Sequence, residues 1–205
     1  MASSVIHMVV ASEINKKLNM DNKQILLGSI APDIAKLIGE TKDKSHFIKN
    51  EEDIPVLENF ITKYGYYIND PFVMGYYIHL YTDYLWFKYF MSEVDFDKSF
   101  KNLNGEFIKC DEESFKRFVY DDYTNLNIDL IGKYDLDLSV FYEGLPNIKM
   151  IIKEIPMNDL KPIINKTSQI IIGSKKKKSV VFDLTNVERF IESSIPIILS
   201  EIEKL

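Results

Sequence analysis

GYYIHLYTDYLW, residues 75–86, decides the fold. Tyr76, Tyr77, Ile78, Leu80, Tyr81, Leu85 and Trp86 leave no polar face, so the stretch reads as a buried helix. Within it stand His79 and Asp83, four residues apart and therefore on one helix face. An unpaired carboxylate is costly to bury. A hydrogen-bonded pair or a metal ion would compensate it. Asn69-Asp70-Pro71 supplies a helix start, with Pro71 near the first helical position, so the spacing predicts a helix from Pro71 to about Glu93.

Helical periodicity dominates on either side. Val5, Met8, Val9, Ile14 and Leu18 form a stripe behind a Ser3 or Ser4 cap. A second helix is predicted from Asp21 through QILLGSI, interrupted or restarted at Pro32. Residues 37–44, LIGETKDK, read as a polar loop, and residues 54–67 as a helix. Further along, Asn102–Gly105 reads as a turn, 111–130 as a helix and 134–144 as a short helix. Pro156 and Pro162 are expected to break 146–172 into pieces. GSKKKKS (173–179) reads as a solvated loop, and a capped helix closes the chain from about Leu184 to Lys204. IIIGSKKKKSVVF could form a small hairpin at best. The expected class is all-α, a single helical domain over residues 1–205.

Bulk properties narrow the function. The chain has 205 residues, 46% hydrophobic and 13% aromatic, enough for one sizeable core. Its net charge of −6 argues against a general nucleic-acid binder, so no stable nucleic-acid partner is expected. A single cysteine, Cys110, excludes an internal disulfide and a cysteine-based zinc site. MASSVIHMVVASEINKKL lacks a basic stretch ahead of its short apolar run, which His7 breaks. The expectation is no secretory signal, no membrane span and a cytoplasmic location.

All three histidines, His7, His46 and His79, lie in the first 80 residues, each in a segment that reads as structured. Asp33 in GSIAPDI and Asp83 share that placement among apolar neighbours. Three imidazoles and two carboxylates suit zinc, with iron or manganese as alternatives. Five donors exceed what one tetrahedral ion with an open position needs. They suit one ion of higher coordination, or two ions sharing a carboxylate, an arrangement that cleaves phosphate esters. Taken singly, each residue also has a structural explanation. His7 and His79 can be hydrogen-bonded core groups, Asp33 a helix cap, and Ser45 a cap beside His46 and Phe47. Both readings stay open on the residues alone.

In this order, His7 in IHMVVA, Asp33 in LLGSIAPDI, His46 in KSHF, and His79 with Asp83 in GYYIHLYTD resemble the zinc-dependent phospholipase C family. The resemblance spans about residues 1–90. It implies an all-α bundle of the phospholipase C and nuclease type. It further implies Asp33, His46, His79 and Asp83 around one ion, with Asp83 bridging to a second held by His7. The secreted enzymes of that family add a terminal amine, two later histidines and a glutamate. No histidine follows His79 here, so their third zinc has no counterpart. Asp121 or Asp122 in VYDDYTN is the candidate for a further ligand. The function expected is hydrolysis of a small phosphoester by one or two divalent ions. The alternatives are a non-catalytic metal-stabilised domain that binds a protein, and a phosphohydrolase of the histidine–aspartate type. The latter needs an adjacent His-Asp pair, which this chain lacks. Residues beyond about 95 have no assigned role, and lining the substrate pocket is the expectation for them.

Overall fold

Asp70 caps the central helix, accepting the backbone N–H groups of Phe72 and Val73, and Pro71 occupies its first turn. The computed structural model describes residues 2–49, 54–94 and 96–205. In chain order the α-helices are α1 (Ser4–Leu18), α2 (Asn22–Ile30), α3 (Lys42–Ser45), α4 (Leu57–Tyr64), α5 (Pro71–Leu85), α6 (Glu112–Lys133), α7 (Lys161–Ile172) and α8 (Leu184–Ile202). The chain is mainly helical. Ser3 caps α1, Asp21 caps α2, Asp111 caps α6, and Asp183 with Asn186 forms a capping box on α8.

α5 is buried along nearly its whole length and packs against α1, α2, α4 and α8. One apolar cluster runs from Ala2 to Ile198. Trp86, Tyr76, Phe60 and Phe72 are among its largest fully buried side chains. Each contributes about 1.5–3 kcal/mol by leaving water. That gain offsets the burial of polar groups on the same helix.

Several boundaries differ from expectation. The 71–93 helix is α-helical only to Leu85, then widens into a π turn over Trp86–Phe90 and ends in a 3₁₀ turn, Met91–Glu93. The expected loop at 37–44 is shorter, because a 3₁₀ helix, Ala31–Ile38, with Pro32 in its first turn, continues the chain beyond α2. It stops at Gly39, whose φ of +76° suits glycine. Pro162 stands in the first turn of α7 and starts that helix rather than breaking it. Only a 3₁₀ turn, Ser139–Phe141, forms within 134–144. The hairpin lies elsewhere than expected. β1 (Ser99–Lys101) and β2 (Phe107–Lys109) pair antiparallel across the Asn102–Gly105 turn, while Ile170–Ile172 end α7. Among the described residues, no helix is long and apolar enough to cross a membrane.

Candidate metal centre

The centre rests on a backbone contact between α2 and α5. A Cβ on Gly75 would stand 2.1 Å from the Ile25 carbonyl oxygen, and one on Gly28 2.2 Å from the Phe72 carbonyl oxygen. Glycine at both positions lets the helices touch along their main chains. The contact brings the end of α2 beside the middle of α5. There the Ser29 carbonyl accepts a hydrogen bond from His79 Nδ1 at 2.7 Å. With its proton committed to Nδ1, His79 presents an Nε2 lone pair to the interior.

His46 is fixed in the same way. It follows α3, and its backbone N–H bonds to the Lys42 carbonyl. The Ser45 hydroxyl donates to that same carbonyl, leaving its oxygen to accept from His46 Nδ1 at 2.8 Å. Tyr76 OH holds the Ser45 carbonyl. His46 therefore also presents an Nε2 lone pair. The two Nε2 atoms stand 3.2 Å apart. Two lone pairs at that distance repel unless a cation lies between them.

Carboxylates complete the ring of donors. Asp33 Oδ1 is 3.6 Å from His46 Nε2. Asp83 Oδ2 is 3.6 Å from His79 Nε2 and 3.8 Å from His46 Nε2. Four donors bound tetrahedrally at about 2.0–2.2 Å stand about 3.3–3.6 Å from one another. Those four separations approach that spacing, while Asp33 and Asp83 fall in separate donor groups. The other oxygen of Asp83 faces the opposite way, 3.0 Å from the Ala2 backbone N–H and 3.2 Å from His7 Nε2. His7 lies on α1 with its ring stacked on His79, centroids 3.7 Å apart. Two groups of donors result: Asp33, His46 and His79; and His7, His79 and Asp83. All five side chains expected at the site come together.

Burial makes this arrangement demanding. His7, His46, His79 and Asp83 are fully buried. Both ring nitrogens of His7 and Asp83 Oδ2 make no hydrogen bond, and the His7–Asp83 approach lacks hydrogen-bond alignment. Buried polar atoms without a partner are uncommon, and a bound cation would satisfy Asp83 Oδ2 and one nitrogen of His7. The protonation states suit that ion. Desolvation holds His46 below the usual histidine range, and desolvation with the neighbouring His7 holds His79 well below it. Burial alone would raise Asp33 and Asp83. For Asp33 it is outweighed by the neighbouring His46 and the Lys42 charge, and for Asp83 by His7 and His79, so both carboxylates lie below their ordinary values. Neutral imidazoles and ionised carboxylates are the forms that bind metal. The donor set fits one or two divalent ions.

One side of the cluster opens outward. The Asp33 side chain is 18% exposed, and the Lys42 ammonium lies against its Oδ1. On the far side of Lys42, which lines it, a cleft of about 1010 Å³ extends over the π turn and α6; the five donors are not among its lining residues. Phe87, Phe96, Phe115, Tyr120 and Tyr123 supply apolar wall, and Lys36 and Lys42 stand among its cations. The C-terminal half thus contributes wall through α6.

Asp121 and Asp122 belong to neither donor group among the described residues. Asp121 is exposed. Asp122 accepts the backbone N–H groups of Val180, Val181 and Phe182, which occupies its carboxylate. Sequence reasoning missed Ser29, Ser45 and Lys42. The signal for Lys42 was its place four residues before His46; Ser29 acts through its carbonyl, which no residue type advertises. Comparison with family models, curated proteins and solved structures finds no match to this chain.

Proposed function

We propose that the chain is a metal-dependent hydrolase of phosphate esters, in a helical bundle of the zinc-dependent phospholipase C and nuclease type. The observation that carries the reading is the pair of imidazole lone pairs on His46 and His79, facing each other at 3.2 Å. Asp33, His46, His79 and Asp83 Oδ2 would hold one ion, and His7 with Asp83 Oδ1 a second. Zinc suits the nitrogen and oxygen donors best, with iron or manganese as alternatives. When bound, divalent ions supply Lewis-acid charge and acidify water near neutral pH.

The chain's own groups do the rest. Ser29 and Ser45 fix the imidazole tautomers, so neither histidine acts as the acid or base. Asp83, reached by both sides of the cluster, is placed to bridge. The cleft beside Lys42 would admit a small phosphoester, and its aromatic wall suits an organic group attached to the phosphate.

A purely structural ion is the second reading, favoured by the complete burial of His7, His79 and Asp83. The partial exposure of Asp33, against Lys42 and the cleft that Lys42 lines, favours the hydrolase. Elemental mass spectrometry on protein purified without chelator tests the metal, and hydrolysis of p-nitrophenyl phosphate and bis-p-nitrophenyl phosphate tests the chemistry. About one or two ions per chain, with turnover abolished by chelator and restored by metal, is the expected result. Turnover that survives complete metal removal overturns the proposal; bound metal without turnover on any phosphoester leaves the structural reading.

A further inference from the structure

We propose that the outer face of the β1–β2 hairpin and the lysine loop after α7 form one docking surface for an anionic lipid bilayer. The surface lies apart from the five donors and beyond residues 1–90, and it does not rest on the metal reading. It starts from GSKKKKS, residues 173–179, which places four lysines in succession in a chain of net charge −6.

The loop is held at both ends. At its start the Ser174 hydroxyl donates to the Ile170 carbonyl and accepts from Asn127 Nδ2 on α6. At its end Ser179 is buried, and Asp122 takes the N–H groups of Val180, Val181 and Phe182. Lys175, Lys176, Lys177 and Lys178 span the interval, all exposed. Their backbone is fixed before a partner arrives, so binding forfeits less chain entropy.

The hairpin adjoins this loop. The Leu103 N–H donates to the Val180 carbonyl, and Lys178 Nζ donates to Asn104 Oδ1 at 3.1 Å. The two faces of the hairpin differ. Phe100 is buried on one, while on the other Lys101 stands opposite Phe107, with Lys109 two residues further on. Phe107 is 75% exposed beside these two lysines. Ile172, the last residue of α7, is 81% exposed and lies three residues before Lys175. Carboxylates beside these segments are engaged. Asp129 takes Lys176, Glu106 the amide of Asn102, and Asp111 the N–H of Ser114. Among the described residues, Lys101, Lys109, Lys175, Lys177 and Lys178 form no ion pair.

Apolar groups among the lysines select the partner. A bilayer offers a layer of negative charge over hydrocarbon. The ammonium groups stay among the headgroups while Phe107 and Ile172 enter the acyl boundary. A nucleic acid would reward stacking rings and guanidinium forks, and neither isoleucine nor lysine supplies them. Acids elsewhere on the chain are screened beyond about 10 Å at ordinary ionic strength, so the local lysines set the potential at this surface.

Flotation of the full chain with phosphatidylcholine vesicles, with and without about 30% phosphatidylserine, tests the proposal. The protein should float with the anionic vesicles only, and raising sodium chloride from about 0.05 to about 0.5 M should release it. Lys175→Glu with Lys177→Glu should weaken partitioning at least about twentyfold. Phe107→Ser with Ile172→Ser should weaken it about tenfold and leave the salt dependence intact. All four side chains are exposed, so circular dichroism should report unchanged folding. Lys17→Glu with Lys44→Glu, an equal charge change on α1 and α3, should cost less than about threefold. No binding, binding that ignores lipid charge, or an equal loss in the Lys17 and Lys44 variant overturns the inference. Full binding in either the Lys175 and Lys177 variant or the Phe107 and Ile172 variant also overturns it. Tighter binding to a single-stranded oligonucleotide than to anionic vesicles overturns it in favour of a nucleic-acid surface.

Discussion

The Ser29 carbonyl and His79 Nδ1, fifty residues apart in the chain, are joined by a 2.7 Å hydrogen bond across the α2–α5 contact. The bond exists because Gly28 and Gly75 let the two backbones touch. Site geometry and helix packing are therefore one problem. Gly75→Ala would drive a methyl group to 2.1 Å from the Ile25 carbonyl oxygen, where only backbone can yield. The expected cost is at least the ~1–3 kcal/mol typical of overpacking. Bound metal should fall in parallel, as His79 moves away from Ser29. Thermal unfolding by circular dichroism with metal analysis reads both. An unchanged melting temperature would refute the close approach.

In the proposed arrangement Asp83 serves both ions, while His79 serves only the ion beside Asp33 and His46, and His7 only the other. Substitutions should therefore differ in stoichiometry, not only in strength. His79→Ala should remove the ion on the Asp33 and His46 side. His7→Ala should leave the ion on the Asp33 and His46 side, about one equivalent. Asp83→Asn keeps the shape but loses the bridging charge, and should abolish any second equivalent. Elemental analysis of the three proteins, prepared alike, decides the matter. Full metal content in His79→Ala would refute the assignment of His79 to that ion.

Half of this site was legible because helices have a fixed period. The four-residue spacing places His79 and Asp83 on one face without any tertiary information, and Asp70-Pro71 announces where their helix begins. Asp33 was legible as a polar residue in apolar company, and His46 through KSHF at the end of a charged loop, which with GSIAPDI carries the resemblance; bringing them to His79 depends on the glycine contact and on the 3₁₀ turn beyond α2. Strand pairing was the weakest reading. Strands of three residues, such as Ser99–Lys101, carry too short an alternation to register. The Ser-Val-Val-Phe run at 179–182 resembles a strand, yet its N–H groups are claimed by the Asp122 carboxylate, a long-range bond with no local signature.

Acid should unfold the metal-free protein earlier than its composition suggests. His46 and His79 lie below the usual value near 6.5 in the folded state. The groups facing them are His7, Asp33, Lys42 and Asp83. As pH falls through about 6.5, the unfolded chain gains imidazole protons that the folded chain resists. The unfolded state then binds more protons, so stability declines with falling pH. Asp33 and Asp83 add a second decline below about pH 4, because their folded values are also depressed. Urea midpoints of chelator-treated protein between pH 7.5 and 4.5 should fall steadily. His46→Gln should flatten the upper part of the curve. A midpoint that holds or rises from pH 7.5 to 5.5 would reverse the sign argued here.

Asp122 offers the control that separates folding from metal. It is fully buried on α6 and receives the backbone N–H groups of Val180, Val181 and Phe182 at 2.6–3.2 Å. These bonds tie the chain ahead of α8 to the helix that walls the cleft. Asp122→Ala would strip three N–H groups of their acceptor, and removing one partner of a buried charged network costs about 3–5 kcal/mol. Asp122→Asn keeps one acceptor oxygen and should cost less. Neither variant touches a metal donor, so the folded fraction of each should carry wild-type metal content while its denaturation midpoint drops. Loss of metal from folded Asp122→Asn, with stability unchanged, would return Asp122 to the list of ligands and require the metal centre to extend toward α6.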